Sequence, residues 1–166
     1  MLDPIVQSVI AHLDGLGTDY EMYEMIDCDP DLADTAAFCA HYGYPPEKAA
    51  NTIVVASRKP AGVHAACVVL ATTRLDVNHK VRELLGVKKL SFAPAETTKE
   101  LTGMLIGGVT PFALPETMPL FVDARIMDLD WAIFGAGSRS AKIKASPEVF
   151  DRLHHAQIVE DLALET

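Results

Sequence analysis

The sequence predicts an α/β fold of the α+β-like kind: a mixed, curved β-sheet or partial barrel surrounded by helices. Three observations lead there. Residues 52–56 and 65–70 are nearly continuous apolar runs joined by the short segment Ser-Arg-Lys-Pro-Ala-Gly. Such runs are strands buried on both faces, and so short a turn cannot join parallel strands. Asp3-Pro4, Asp29-Pro30 and Ser146-Pro147 each set a capping oxygen before a proline at a first helical position. The full order, α-β-α-β-β-α-β-α-loop-β-β-α-β, gives a sheet of mixed strand direction with helices packed around it.

Each element has its own reason. After Asp3, Ile5, Val9, Ile10, Leu13 and Leu16 recur at helical spacing, and Gly15 and Gly17 end the helix. Residues 20–26 read as an edge strand. After Asp29, Leu32, Ala36, Cys39 and Ala40 share one face as far as Gly43. The two buried strands follow. Asp76 caps a helix over residues 77–85, with Val77, Val81, Leu84 and Leu85 inward and Gly86 as its stop. Residues 90–93 are a short strand, and residues 95–102 a short polar helix stopped by Gly103. Residues 120–124, 131–136 and 141–146 read as strands. The Ser146 helix turns Val149, Phe150 and Leu153 inward, and residues 158–164 form the last strand. No linker, repeat or low-complexity stretch interrupts the chain, so residues 1–166 are expected to make one domain.

Composition bounds the function. With 166 residues, 49% apolar and 22% charged, the chain has the balance of a soluble globular protein that folds without disulfide or metal. Acids outnumber bases 23 to 14, for a net charge of −9. That argues against coating long stretches of nucleic acid, which takes many phosphate-facing cations, yet two or three cations suffice to hold one end. No run approaches the roughly 20 apolar residues that span a bilayer, and the opening residues lack the leader of a signal peptide. Cys28, Cys39 and Cys67 form no CxxC pair, and the six histidines are scattered without chelating spacing. The expectation is a cytoplasmic protein with reduced, buried thiols, no metal and no cofactor.

Two glycine clusters stand out. Residues 102–115 hold Gly103, Gly107 and Gly108 with Pro111 and Pro115. Such a loop is either a structural crossover or a rigid backbone surface whose N–H groups polarise a carbonyl. Residues 134–140 begin like a dinucleotide fingerprint, but the third glycine is missing and a strand follows, which excludes a Rossmann site. This cluster is either a tight hairpin or a ligand wall formed by backbone and Ser138. Asp123 interrupts an apolar strand, so it either finds a partner or borders a cleft. Lys142 and Lys144 share a strand face, where such pairs are usually solvated. No GxSxG elbow, P-loop or catalytic cysteine context occurs.

Taken together, these residues resemble the YbaK/ProX-type aminoacyl-tRNA editing domains, the group of Cys-tRNA(Pro) deacylases and the editing insertion of bacterial prolyl-tRNA synthetases. The strongest match is Thr102-Gly-Met-Leu-Ile-Gly-Gly-Val-Thr-Pro-Phe-Ala-Leu-Pro115, with its GxxxP-type element from Gly107 to Pro111. Supporting matches are residues 31–43 and the following Tyr-Pro-Pro-Glu-Lys-Ala-Ala-Asn-Thr-Ile-Val-Val, Arg74-Leu75-Asp76 with Lys80, Phe121-Val122-Asp123, Gly135-Ala136-Gly137, and residues 146–163. The resemblance covers nearly the whole chain. It implies a freestanding deacylase that hydrolyses the ester of a mischarged tRNA. Water would attack with help from the substrate's own ribose, which needs no protein nucleophile.

The resemblance also implies a site. Gly107, Gly108, Val109, Thr110 and Pro111 would supply the catalytic backbone, and Asn51, Ile53, Lys80, Gly103, Phe112, Asp123, Gly135, Gly137 and Ser138 would hold the substrate. Pocket size would depend on Ile53, Met104, Phe112 and Phe134. Where the family often carries a lysine just before its first core strand, this chain has Asn51, which forms hydrogen bonds without charge. Lys80, or more weakly Lys48, could supply the charge. The implied partners are the tRNA acceptor end, with Lys80, Arg139, Lys142 and Lys144 as phosphate contacts, and an aminoacyl-tRNA synthetase, with neither DNA nor membrane. The competing reading is a non-catalytic module that binds the aminoacylated tRNA end, a nucleotide or a partner protein.

Overall fold

A computed structural model of the chain describes residues 3–17 and 23–165. Helix α1 (Pro4–Gly15) opens as expected: the Asp3 carboxylate accepts from the Ile5 N–H at 2.8 Å, and Val6, Val9 and Leu13 are buried. Strand β1 (Tyr23–Asp27) is an edge strand; residues 20–22 of the expected strand lie outside the described residues. Asp29 does cap, but it starts only the 3-10 turn Pro30–Leu32. A second break at Asp34 then begins α2 (Thr35–Tyr42), which ends on left-handed Gly43.

Strands β2 (Ala50–Lys59) and β3 (Ala61–Leu70) extend past the apolar runs that announced them. β4 (Thr73–Leu75) was not foreseen. Asp76 caps a π turn, Val77–Val81, that runs into α3 (Arg82–Leu85). Then come β5 (Lys89–Phe92), α4 (Ala95–Thr102), β6 (Leu120–Asp123), the short α5 (Ala124–Met127), β7 (Ala132–Gly135) and β8 (Ala141–Ala145). The Ser146 segment is a 3-10 helix, Pro147–Arg152, rather than an α-helix. Pro147, Val149 and Phe150 are its buried residues, and Pro147 and Phe150 stand one 3-10 turn apart. The expected final strand is two strands, β9 (Ala156–Val159) and β10 (Ala163–Glu165). The polar pair Glu160 and Asp161 breaks it, with Asp161 at φ 57.

The main sheet is mixed, in the order β5-β2-β3-β6-β9. β5, β2 and β3 are antiparallel neighbours, whereas β6 is parallel to β3 and β9 parallel to β6. A second sheet, β1-β8-β7, is antiparallel, and β10 pairs with β4. The sheets do not close. β7 meets β2 through one parallel bridge, Ala49 to Ile133.

Alternation along β2 and β3 divides the interior. Ala50, Val54, Ala66 and Val68 face the larger core, with α1 and the mutually packed rings of Phe112, Phe134 and Phe150. Val55, Ala65, Cys67 and Val69 face a second core with Val81, Leu90 and Leu162. A third, smaller cluster gathers Cys28, Ala33, Phe38, Cys39, Ala49 and Ile133. Among the described residues no helix is long and apolar enough to cross a membrane.

Candidate active site

The site begins as a gap between strands. One edge of β2 pairs with β3 along nearly its whole length. The other edge pairs with β5 only from Val55 onward, with the Ala93 N–H donating to the Val54 carbonyl at 2.9 Å. At its start this edge meets the second sheet at the Ala49–Ile133 bridge. Between these two contacts Thr52 has, among the described residues, no partner strand on that side. A cavity of about 420 Å³ occupies the split. Its walls include Asn51, Thr52 and Ile53 from β2, Phe92 at the end of β5 and Ala93 just beyond it, and Ile106, Gly107 and Val109 from the glycine-rich loop. Gly135 and Lys142, from the β7–β8 hairpin, and Asp34 and Thr35, at the start of α2, complete it.

The two glycine clusters face each other here. A Cβ on Gly135 would lie 2.1 Å from the Val109 carbonyl oxygen, and one on Gly108 would lie 2.6 Å from the Ser138 backbone. Only glycine permits backbones this close. The Gly137 N–H donates to the Gly108 carbonyl at 2.7 Å, stitching loop to hairpin. Gly108 spends its own N–H on the Leu105 carbonyl at 2.9 Å. Arg139 adds a clamp: its Nη1 donates to the Ile106 carbonyl and to Asp34, each at 3.1 Å, and its Nε to the Pro30 carbonyl at 3.0 Å.

Lys142 is the cation among the lining residues. It stands on β8, the central strand of its sheet, and is only 5% exposed. Its Nζ lies 5.7 Å from the centre of the Phe38 ring and donates to the Gly107 carbonyl at 3.0 Å. Burial pushes its ammonium below the usual lysine range, against the opposing pull of Cys28. Lys144, on the same strand face, lies over the Trp131 ring, 4.5 Å from its centre.

Polar groups converge from β2. The Thr35 hydroxyl donates to Asn51 Oδ1 at 2.5 Å. Thr52 Oγ1 is buried without a hydrogen-bond partner, an orphan at the cavity wall. The thiols do not look reactive: burial pushes Cys28, Cys39 and Cys67 up from their ordinary range. Among the described residues no group of three His, Cys, Asp or Glu could hold a metal ion.

The structure thus brings Asn51, Ile53, Gly107, Val109 and Gly135 around one cavity. Gly108 sits behind the loop against Ser138. Thr110, Pro111 and Phe112 turn into the core instead, as do Met104 and Phe134. Gly103 ends α4, and Gly137 packs on α1, where a Cβ would meet Ile5 at 2.6 Å. Ser138 bonds Ser140, hydroxyl to hydroxyl, at 2.7 Å. Asp123 found its partner rather than a cleft. It is fully buried, caps α5, pairs with Arg125 at 2.9 Å and accepts from the Ala163 N–H. Lys80 lies in a separate shallow depression with Asp76, His79 and Arg125, and Lys48 pairs with Asp130 at 2.7 Å.

Other lining residues, among them Asp34, Thr35, Thr52, Phe92 and Ile106, were not expected in the site, and Lys142 was expected only as a phosphate contact. Lys142 carried a usable signal, because a lysine in a strand flanked by strands on both sides has nowhere dry and bland to go. Thr52 and Phe92 carried none, since a threonine in an apolar strand and a phenylalanine ending one are ordinary.

Comparison with known proteins identifies the family and supports the fold. The sequence model of the aminoacyl-tRNA editing domain matches residues 29–153. A candidate trans-editing enzyme for prolyl tRNA synthetase superposes with a TM-score of 0.82 at 22% identity, over 100% of both chains. A hypothetical protein superposes with a TM-score of 0.81 at 26% identity, over 94% of this chain and 99% of that one. A scaffold protein used for epitope grafting gives 0.82 at 20% identity, over 99% of this chain and 100% of that one.

Proposed function

Because the chain belongs to the aminoacyl-tRNA editing domain family, we propose that its cavity hydrolyses the ester joining a wrong amino acid to the terminal ribose of a tRNA. Water adds to the ester carbonyl, the ribose oxygen leaves and takes a proton, and free amino acid and uncharged tRNA result. The neighbouring ribose hydroxyl assists the water. An aminoacyl ester is already activated, so positioning and a few fixed donors suffice.

The observation that carries this reading is the open edge of β2 at Thr52, facing the glycine loop across the cavity. A strand edge offers fixed backbone donors, and the buried Thr52 hydroxyl adds an unused one. Gly107 and Val109 present loop backbone from the other side. Lys142 is a positioning residue: through the Gly107 carbonyl it fixes the loop, and it supplies the charge that Asn51 lacks. Ile53, Val54 and Ala93 give the cavity an apolar lining that suits a small, uncharged side chain. The likeness to a candidate trans-editing enzyme supports a chain that acts as a separate protein on the acceptor end, beside a synthetase.

The test is a deacylation panel. Purified protein is mixed with tRNAs carrying Ala, Ser, Cys, Pro or Thr, matched and mismatched, and the remaining ester is followed. The expected result is rapid loss from a mismatched species with a small side chain. Decay of every ester at the buffer rate, with tRNA still bound, would leave a binding module.

A further inference from the structure

Among the described residues, five large hydrophobic side chains stand exposed: Phe92, Leu105, Ile106, Ile158 and Leu164. Three of them belong to the cavity's surroundings. Phe92, 54% exposed, and Ile106, 56% exposed, line the cavity itself, and Leu105 is the neighbour of Ile106 in the loop. Nothing in the folding of the chain requires them to face water. Phe92 ends the edge strand β5, opposite Val55, and the loop reaches the same opening from the far side of the split.

Resting on the deacylase reading, we propose that Phe92, with Ile106 lining the same cavity from the loop, is the stacking platform for the purine base of the terminal nucleoside. The ester is joined to a ribose, and the ribose to a base. Once the aminoacyl group enters the cavity, the base must lie at its mouth. A purine has two apolar π-faces and no charge, which suits an aromatic ring and an aliphatic side chain better than it suits cations. The Arg139 guanidinium is moreover engaged with Asp34 and two carbonyls. Base-on-aromatic stacking is tolerant of base identity. The platform therefore gives affinity for the end of the chain, and discrimination among tRNAs lies elsewhere.

Calorimetry with a non-hydrolysable aminoacyl-adenosine amide tests this without requiring turnover. Phe92→Ala should weaken binding about five- to a hundred-fold. Phe92→Leu, which keeps apolar bulk, should remain weaker than wild type, and Phe92→Trp should bind as well or better. The same aminoacyl amide without its nucleoside should bind all four proteins equally. With a mischarged tRNA, Phe92→Ala should raise KM and leave kcat unchanged. Equal binding of the adenosine amide by wild type, Phe92→Ala and Phe92→Leu would overturn the proposal, as would no binding by wild type. Phe92-dependent binding with no hydrolysis of any aminoacyl-tRNA would instead overturn the deacylase reading and leave the platform standing.

Discussion

Asp123 and Lys142 are both charged residues on strands flanked on each side, 0% and 5% exposed, and they are buried in opposite ways. The Asp123 oxygens take three donors: the Arg125 N–H at 3.0 Å, the Arg125 guanidinium at 2.9 Å and the Ala163 N–H at 3.2 Å. Three of its roughly four acceptor sites are filled, and its complete burial leaves no face open to a ligand. Lys142 has three N–H groups to place and, among the described residues, one acceptor, the Gly107 carbonyl. Its remaining capacity faces a cavity. A saturated buried charge holds elements together, whereas an undersaturated one beside a cavity is available for function.

The largest effect should come from Asp123. Asp123→Ala removes the buried acceptor of the Arg125 guanidinium and of the Ala163 N–H, and with it the α5 cap, and should cost about 3 kcal/mol or more, read from urea unfolding. Deacylation per folded molecule should not change. A fall in turnover at full folding would break the contrast, because it would place Asp123 in the site. Lys142→Met should do the reverse. Replacing a buried, underpaired charge by an apolar chain of similar length should leave stability within about 1 kcal/mol. Turnover of the mischarged tRNA should fall roughly a hundredfold, through a displaced loop. Equal turnover in the two proteins would make Lys142 a mere filler of space.

The same contrast shows what the sequence could reveal. Local signals were legible: Asp3, Asp29 and Ser146 all cap through their side chains. How far each helix runs was not, because length is set by packing. Arg152 is drawn out to the Leu16 and Gly17 carbonyls, and Pro147, Val149 and Phe150 all pack inward. The glycine loop was visible as a composition anomaly, and Gly107 and Val109 do line the cavity. Its second half reads the same in sequence, yet Thr110 and Phe112 are fully buried. The cavity itself depends on where β2 loses its neighbour, a fact of pairing between strands far apart in the chain. No residue type records it.

The smallest effect is a slope. Burial holds the Lys142 ammonium below the ordinary lysine range, which lies near 10.4 in an unfolded chain. Between the folded value and the ordinary one, the unfolded chain binds the proton more readily than the folded chain does. Stability therefore rises with pH across that window. Below it the full cost of burying the charge remains, and above it the cost is gone. Buried Cys28, Cys39 and Cys67 act oppositely, since burial raises their thiols and unfolding then releases protons; Cys28 and Cys39 also act on Lys142 itself, whereas Cys67 contributes alike to both proteins compared. Urea midpoints should accordingly be compared in a Cys28→Ala, Cys39→Ala background, with and without Lys142→Met. The lysine-bearing protein should gain stability toward alkaline pH relative to its methionine counterpart. Parallel curves would show that Lys142 is as well satisfied as Asp123, and the distinction between the two buried charges would fail.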